Sequence, residues 1–215
     1  MPETVTEKVW TIVVAGGSSL RFGSAKQFEQ LGSARVLDLS VSVAREMSDG
    51  VVVVVPADHV KAEGADAVSG GSTRSESVRN GLAAVPADAT IICVHDAARP
   101  FASRLLYAAV IEAVATGAGC AIPGVEVTDT IKIISRSAQV VSTPDRASLR
   151  AVQTPQAFRA SVLRAAHASG AESTDDAALV EALGGSVTVV PGDADNRKIT
   201  YPQDLEWARA QADRS

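Results

Sequence analysis

Five consecutive valines, Val51–Val55 within "GVVVVVPA" (50–57), constrain the fold of this chain more than any other stretch. β-Branched side chains favour extended backbone. Alternate side chains of a strand point to opposite faces, so an unbroken apolar run must be covered on both. That is the condition of a strand inside a parallel sheet with helices above and below it. The chain supplies the other parts of such a sheet. "VWTIVVAG" (9–16), "ATIICVHD" (89–96), "GCAIPGV" (119–125) and "SVTVV" (186–190) read as further strands. Helices are predicted between and after them, over 35–48, 72–85, 102–117, 173–185 and 201–213. The fourth has a Ser/Thr N-cap, an acidic first turn and a glycine stop, and the fifth has Pro202 at its start. Strand and helix in alternation predict an α/β fold with a doubly wound, mostly parallel sheet. Ligands of such sheets sit beyond the carboxyl ends of the strands. Here those ends are Ala15–Ser19, Gly70–Ser72, His95–Arg99 and the segment after Val190, which should line one cleft.

One segment departs from the alternation. Two β-branched runs, "TIKII" and "VVST", flank the polar turn "SRSAQ" and predict a β-hairpin arm over about 129–150. A two-stranded ribbon is marginally stable alone. It must pack on something, and a second copy of the chain is the natural candidate. With no repeat or linker in view, residues 1–215 read as a single domain carrying this arm. The length prior of about 150 residues per domain agrees.

Composition narrows the function. No apolar run reaches the roughly 18 residues of a membrane span. The N-terminal "MPETVTEKVW" lacks a basic stretch followed by an apolar one, so no secretory signal is expected. Cys93 and Cys120 sit in apolar runs without metal or redox spacing, and fit buried thiols in the cytoplasm. A net charge of −5 disfavours nucleic acid.

Against that acidic background, cations beside glycines stand out. "VVAGGSSLRFGSAKQF" (13–28) is a strand, an N–H-rich turn, then Arg21 and Lys26. Its spacing fits neither the P-loop nor the dinucleotide fingerprint. Donors of this kind suit a polyphosphate, although a plain strand-to-helix turn with surface cations looks similar. In "VHDAARP" (94–100), Asp96 ends a buried strand, where it can hold a divalent metal or a substrate hydroxyl. Arg99, three residues on, could pair with it or hold it in place, and a salt-bridged turn is the plainer account. In "GGSTRSESV" (70–78), paired glycines permit close approach, and Ser77 in the first helical turns can reach a ligand. A capped helix start explains the same residues. Lys198 in "DNRKIT" (195–200) follows the last strand and could be an ordinary solvated lysine. His95 reads as structural; His59 and His167 suggest no role.

These motifs, together with "VTDTIK", "DR", "VQTPQAF" and "TDDAALVEALGG", occur in order from end to end. As a set they resemble the 2-C-methyl-D-erythritol 4-phosphate cytidylyltransferases. The resemblance implies a Rossmann-like nucleotidyltransferase that joins CTP to methylerythritol phosphate and releases pyrophosphate. It implies Mg2+ or another divalent cation as cofactor and a homodimer built through the arm. Ala15, Gly16, Gly17 and Ser19 match backbone donors to the triphosphate. Arg21, Lys26 and Lys198 match the cations around the α-phosphate and departing pyrophosphate. Gly71, Ser72 and Ser77 match the positions that read cytosine. Asp96, with Arg99 beside it, matches the residue that holds substrate hydroxyls near the metal. Thr130 and Arg146 match arm positions that receive the neighbouring subunit's acceptor, and Thr154 matches another substrate-side position. Ser19 stands where members commonly carry glycine, and the stretch from Arg21 to Lys26 is short. A ribitol phosphate cytidylyltransferase, a non-catalytic nucleotide-binding module and a glycosyltransferase remain as other readings.

Overall fold

The computed structural model describes residues 6–16 and 25–213. Strand β1 (Val9–Val14) is followed after the opening loop by a single 3-10 turn (Lys26–Phe28) and a small hairpin, β2 (Gln30–Leu31) and β3 (Ala34–Arg35). Then come α1 (Val36–Glu46), β4 (Gly50–Val55), the one-turn α2 (Val60–Glu63), β5 (Ala67–Ser69), α3 (Arg74–Ala84), β6 (Ile91–Asp96), α4 (Arg104–Ala115) and β7 (Cys120–Glu126). The arm is β8 (Ile133–Ile134) with β9 (Val140–Ser142). The chain returns through β10 (Arg150–Val152), β11 (Gln156–Arg159), α5 (Ala160–His167), α6 (Asp176–Ala182), β12 (Thr188–Pro191) and α7 (Pro202–Ala212).

The parallel core of the sheet runs β6-β1-β4-β5. The valine run lies in it as expected. Val52 and Val54 face the helices α3, α5 and α6, whereas Val51, Val53 and Val55 face α1 and α4. Beyond β6 the sheet turns mixed. β11 is inserted antiparallel between β6 and β7, β10 continues antiparallel along β7, and β12 pairs with β7 in parallel. A third apolar cluster joins Leu205 and Ala208 of α7 to Leu31, Val36 and Ile199.

Several details differ from the sequence reading. β11 and α5 were not anticipated; "QAFR" is too short to show a period, and Pro155 precedes it. The start of α6 is capped by Asp175, which accepts from the Ala177 N–H at 2.8 Å, rather than by Ser173 or Thr174. The arm is a hairpin, with Ile133 opposite Ser142 and Ile134 opposite Val140. Only two and three of its residues are paired strand, and residues 130–132 of "TIKII" are unpaired.

Helix α3 is seated on the sheet by close packing at Gly81, past its midpoint and away from the cleft. A Cβ there would stand 2.6 Å from Ile12 Cγ2 and 2.9 Å from Val54 Cγ2. Gly81→Ala gains about 1 kcal/mol of helix propensity. Overpacking against two stiff β-branched side chains costs about 1–3 kcal/mol and wins. Urea unfolding of Gly81→Ala is expected to show a net loss of up to about 2 kcal/mol.

Candidate active site

The loops that leave β1, β5, β6 and β12 meet at one end of the sheet. Two glycines let the first two loops touch. A Cβ on Gly16 would stand 3.3 Å from Gly70 Cα, and one on Gly70 would stand 3.2 Å from Gly16 Cα. Ser77 Oγ sits against both, 3.2 Å from either Cβ position. It donates to Thr73 O at 2.9 Å and accepts from the Gly71 N–H at 3.1 Å. The Ser77 hydroxyl therefore shapes the 70–73 turn and keeps one lone pair for other use. Glu76 finishes the turn, accepting from the Ser72 N–H at 2.7 Å and from its hydroxyl at 2.6 Å.

The Ala15 N–H donates to Val54 O at 2.7 Å, continuing the strand ladder one residue past β1. Its amide is thus spent on the sheet rather than offered to a phosphate. Its carbonyl accepts from buried Gln27 Nε2 at 2.9 Å, so the 3-10 turn is pinned to the end of β1. Gly17, Ser19 and Arg21 lie outside the described residues. Lys26, at the start of the 3-10 turn, donates through Nζ to Ile199 O at 2.7 Å. That contact brings it beside Lys198.

Asp96 is the centre of the group. Its carboxylate meets Lys198 Nζ at 2.5 Å through Oδ2 and Arg74 Nε at 3.3 Å through Oδ1. Burial pushes this carboxyl up, but Arg74, Lys198 and Arg99 outweigh burial and hold it well below the usual carboxylate range. Asp96 donates its N–H to Thr154 Oγ1 at 3.0 Å, and Thr154 Oγ1 lies 3.1 Å from His95 Nδ1. His95 Nε2 lies 3.2 Å from Arg99 O. A carbonyl can only accept, so Nε2 carries the proton and Nδ1 accepts from the Thr154 hydroxyl. His95 is fully buried, and burial pushes its imidazole down to about 4. It is a neutral structural link, as the sequence suggested.

Arg99 does not pair with Asp96 through its side chain. Its guanidinium donates to Asn196 O at 2.7 Å and Val152 O at 3.3 Å. It braces the turn that carries Lys198, since strand β6 ends in a bend that aims the third residue away. Asn196 completes the brace, donating to Thr154 O at 2.9 Å. Thr130 and Arg146 are exposed on the arm, and Arg146 donates to Thr128 O at 2.7 Å, within the arm.

Comparison with known proteins bears on this arrangement. The family described as IspD, 2-C-methyl-D-erythritol 4-phosphate cytidylyltransferase, matches residues 9–214. The chain belongs to this family. A 2-C-methyl-D-erythritol 4-phosphate cytidylyltransferase of Nocardia farcinica is 41% identical over 218 residues, covering 96% of this chain and 94% of the relative. A bifunctional IspD/IspF enzyme of Anaeromyxobacter dehalogenans is 46% identical over 222 residues; the match covers 95% of this chain but 57% of that longer protein. The crystal structure of the cytidylyltransferase of Thermus thermophilus superposes with a TM-score of 0.81 at 39% identity, covering 97% of this chain and all of the other. The 4-diphosphocytidyl-2C-methyl-D-erythritol synthase of Anaerococcus prevotii gives 0.84 at 29% identity, covering 96% and 99%.

In this cytidylyltransferase-family chain, Lys26, Lys198, Asp96 and Thr154 come together, with the 70–77 turn at the same end of the sheet. The sequence reading missed Arg74, Asp176, Gln27 and Asn196. Each acts through a partner distant in sequence, which a local motif does not reveal. Asp176 lies inside "TDDAAL", where an acidic first turn reads as helix capping.

The neutral His95 has a measurable consequence. Between its ordinary value of 6.5 and about 4, the unfolded chain binds a proton that the folded chain refuses. Its contribution is therefore complete above about pH 6.5 and is lost as pH falls toward 4. In metal-free buffer, the unfolding free energy should fall across that window by up to about 3 kcal/mol more in the wild type than in His95→Gln. Urea titrations at a series of pH values measure the difference, and parallel curves would contradict it.

Proposed function

We propose that this chain transfers the cytidylyl group of CTP to 2-C-methyl-D-erythritol 4-phosphate and releases pyrophosphate. The observation that carries the reading is the convergence of Lys26, Lys198 and buried Asp96 beyond the strand ends, in a chain of this family. A phosphate oxygen of the acceptor attacks the α-phosphorus of CTP. The bond from that phosphorus to the bridging oxygen of the β-phosphate breaks, and pyrophosphate carries the electron pair away. A phosphate monoester dianion is already a nucleophile, so no general base is needed. The barrier is repulsion between anions, and catalysis rests on alignment and neutralisation.

Lys26 and Lys198 are suited to that work. The phosphate oxygens of CTP bind an ammonium more strongly than the neutral Ile199 carbonyl does, so Lys26 transfers readily to them. Arg21 is assigned the same task, with a fork that spans two oxygens. Gly16, Gly17 and Ser19 are assigned to the triphosphate. Gly71, Ser72 and Ser77 are assigned to cytosine, which suits a turn of backbone groups shaped by one buried hydroxyl. Asp96 and Thr154 are assigned to the acceptor side, with Thr130 and Arg146 of a second copy.

The residues also fit a divalent cation borne by substrate. Among the described residues no group of three or more His, Cys, Asp or Glu side chains could cage an ion. Mg2+ keeps several waters and is commonly held by one or two carboxylates plus substrate phosphates, and Asp96 would supply the carboxylate. When bound, such an ion supplies Lewis-acid neutralisation of phosphate oxygens.

The reading treats residues 1–215 as one domain acting in a homodimer. Ile133, Ile134, Val140 and Val141 on the arm are 51–65% exposed, an apolar strip that a second copy would cover. It also places the protein in the cytoplasm, apart from membrane and nucleic acid. In support, both cysteines are free and buried. The ribitol phosphate reading has no support from the relatives described above.

Pyrophosphate release tests the reaction. It is expected with CTP, Mg2+ and methylerythritol phosphate, and to be much slower with UTP or ribitol phosphate. Arg21→Ala and Lys26→Ala should each lower kcat by about 10²-fold or more. Release with ribitol phosphate alone would reassign the acceptor, and an unchanged kcat would remove the cation from the mechanism. Sedimentation at micromolar concentration should show a dimer that Ile134→Lys/Val140→Lys dissociates; a monomeric wild type would refute the shared site.

A further inference from the structure

Behind Asp96 runs a chain of charged and polar groups that the mechanism above does not use. Arg74 is the first residue of α3, where the helix dipole disfavours a cation. Helix stability therefore does not explain it. Its Nη1 donates to Asp176 Oδ2 at 2.7 Å, while its Nε reaches Asp96 Oδ1 at only 3.3 Å. Asp176 is fully buried at the start of α6. His167, at the end of α5 and also buried, places Nε2 3.0 Å from Asp176 Oδ1. So both oxygens of a buried carboxylate are used, one to hold Arg74 and one held by His167.

We propose that Asp176, backed by His167, is a positioning residue for the cytidylyl transfer. It fixes the Arg74 guanidinium so that Asp96 meets it through a single long contact. The inference rests on the function proposed above. The physical reason lies in how an arginine binds carboxylates. A guanidinium free to turn closes on one carboxylate with two parallel bonds. Such a closure on Asp96 would occupy both of its oxygens and compete with Lys198. Asp176 draws off one arm of the fork. Asp96 keeps the benefit of a nearby cation and keeps Oδ2 for Lys198 and for incoming ligand.

A double-mutant cycle tests this. Asp176→Asn is expected to lower kcat/KM for methylerythritol phosphate about tenfold, and Arg74→Met by at least as much. The double variant should be no worse than Arg74→Met alone, because Asp176 acts only through Arg74. A loss that multiplies in the double variant, or a wild-type kcat/KM in Asp176→Asn, overturns the proposal. Should the Asp176 variants fail to fold, His167 provides the second route. His167→Leu should lose kcat/KM several-fold, and His167→Gln, which keeps a donor for Asp176, should restore most of it. Equal values for the two overturn the proposal. A readout independent of turnover is the Arg74 Nε–H resonance in substrate-free protein, expected to shift in Asp176→Asn. If the wild type transfers no cytidylyl group, the proposed function falls and this resonance alone decides. A shift keeps the positioning role, and an unmoved signal removes it.

Discussion

The Asp96 carboxylate joins three stretches of chain that are far apart in sequence. It ends strand β6, takes Arg74 from the start of α3, and takes Lys198 from the turn after β12. A carboxylate this buried is tolerated only with cations and hydrogen bonds around it. Removing one member of a buried ion pair typically costs about 3–5 kcal/mol, because the other is left uncompensated. Lys198, whose side chain is 39% exposed, belongs toward the weak end of that scale, and buried Asp176 toward the strong end. The site and the fold are thus stabilised by the same contacts. The sheet brings the groups together, and the groups in turn fix the loops that leave the sheet.

The loops themselves are shaped by small residues and short reaches. Gly16 and Gly70 lie back to back, with Ser77 filling the space that side chains would otherwise contest. Gln27 ties the far side of the opening loop to the end of β1. Arg99, Gln153 and Asn196 hold the 193–198 turn through carbonyl oxygens, with Gln153 donating to Asp193 O at 2.7 Å. None of these residues needs to touch a substrate to matter. They set where the lysines stand, and misplacement by about 1 Å can cost a large factor in rate.

Local pattern made the frame legible. The valine run, the apolar runs ending at Ala15 and Asp96, and the capped helices follow from side-chain period and end signals, which act over a few residues. Lys198 and Asp96 were legible as site members only through their motifs, since 102 residues separate them. The Arg74–Asp176 pair spans the same separation; both residues lie inside motifs, "GGSTRSESV" and "TDDAALVEALGG", whose pattern says nothing of their pairing. Arg99 misled for the opposite reason. Three residues from Asp96, it looked like a partner, yet proximity along a bend does not fix where a long side chain points. β11 went unseen because four residues between two neighbours are ordered by pairing rather than by their own pattern.

The contact from Lys26 to the Ile199 carbonyl has a consequence for synthesis. The opening cation of the site is seated by a residue near the far end of the chain, and Ile199 is itself packed against α7. A growing polypeptide can lay down β1, β4, β5 and β6 long before that residue exists. Until the ribosome has released Asn196 to Ile199, the nascent chain holds a sheet with no seat for Lys26 and no cation from the last turn for Asp96. Translation thus delivers the seat of Lys26 and the Lys198 partner of Asp96 last.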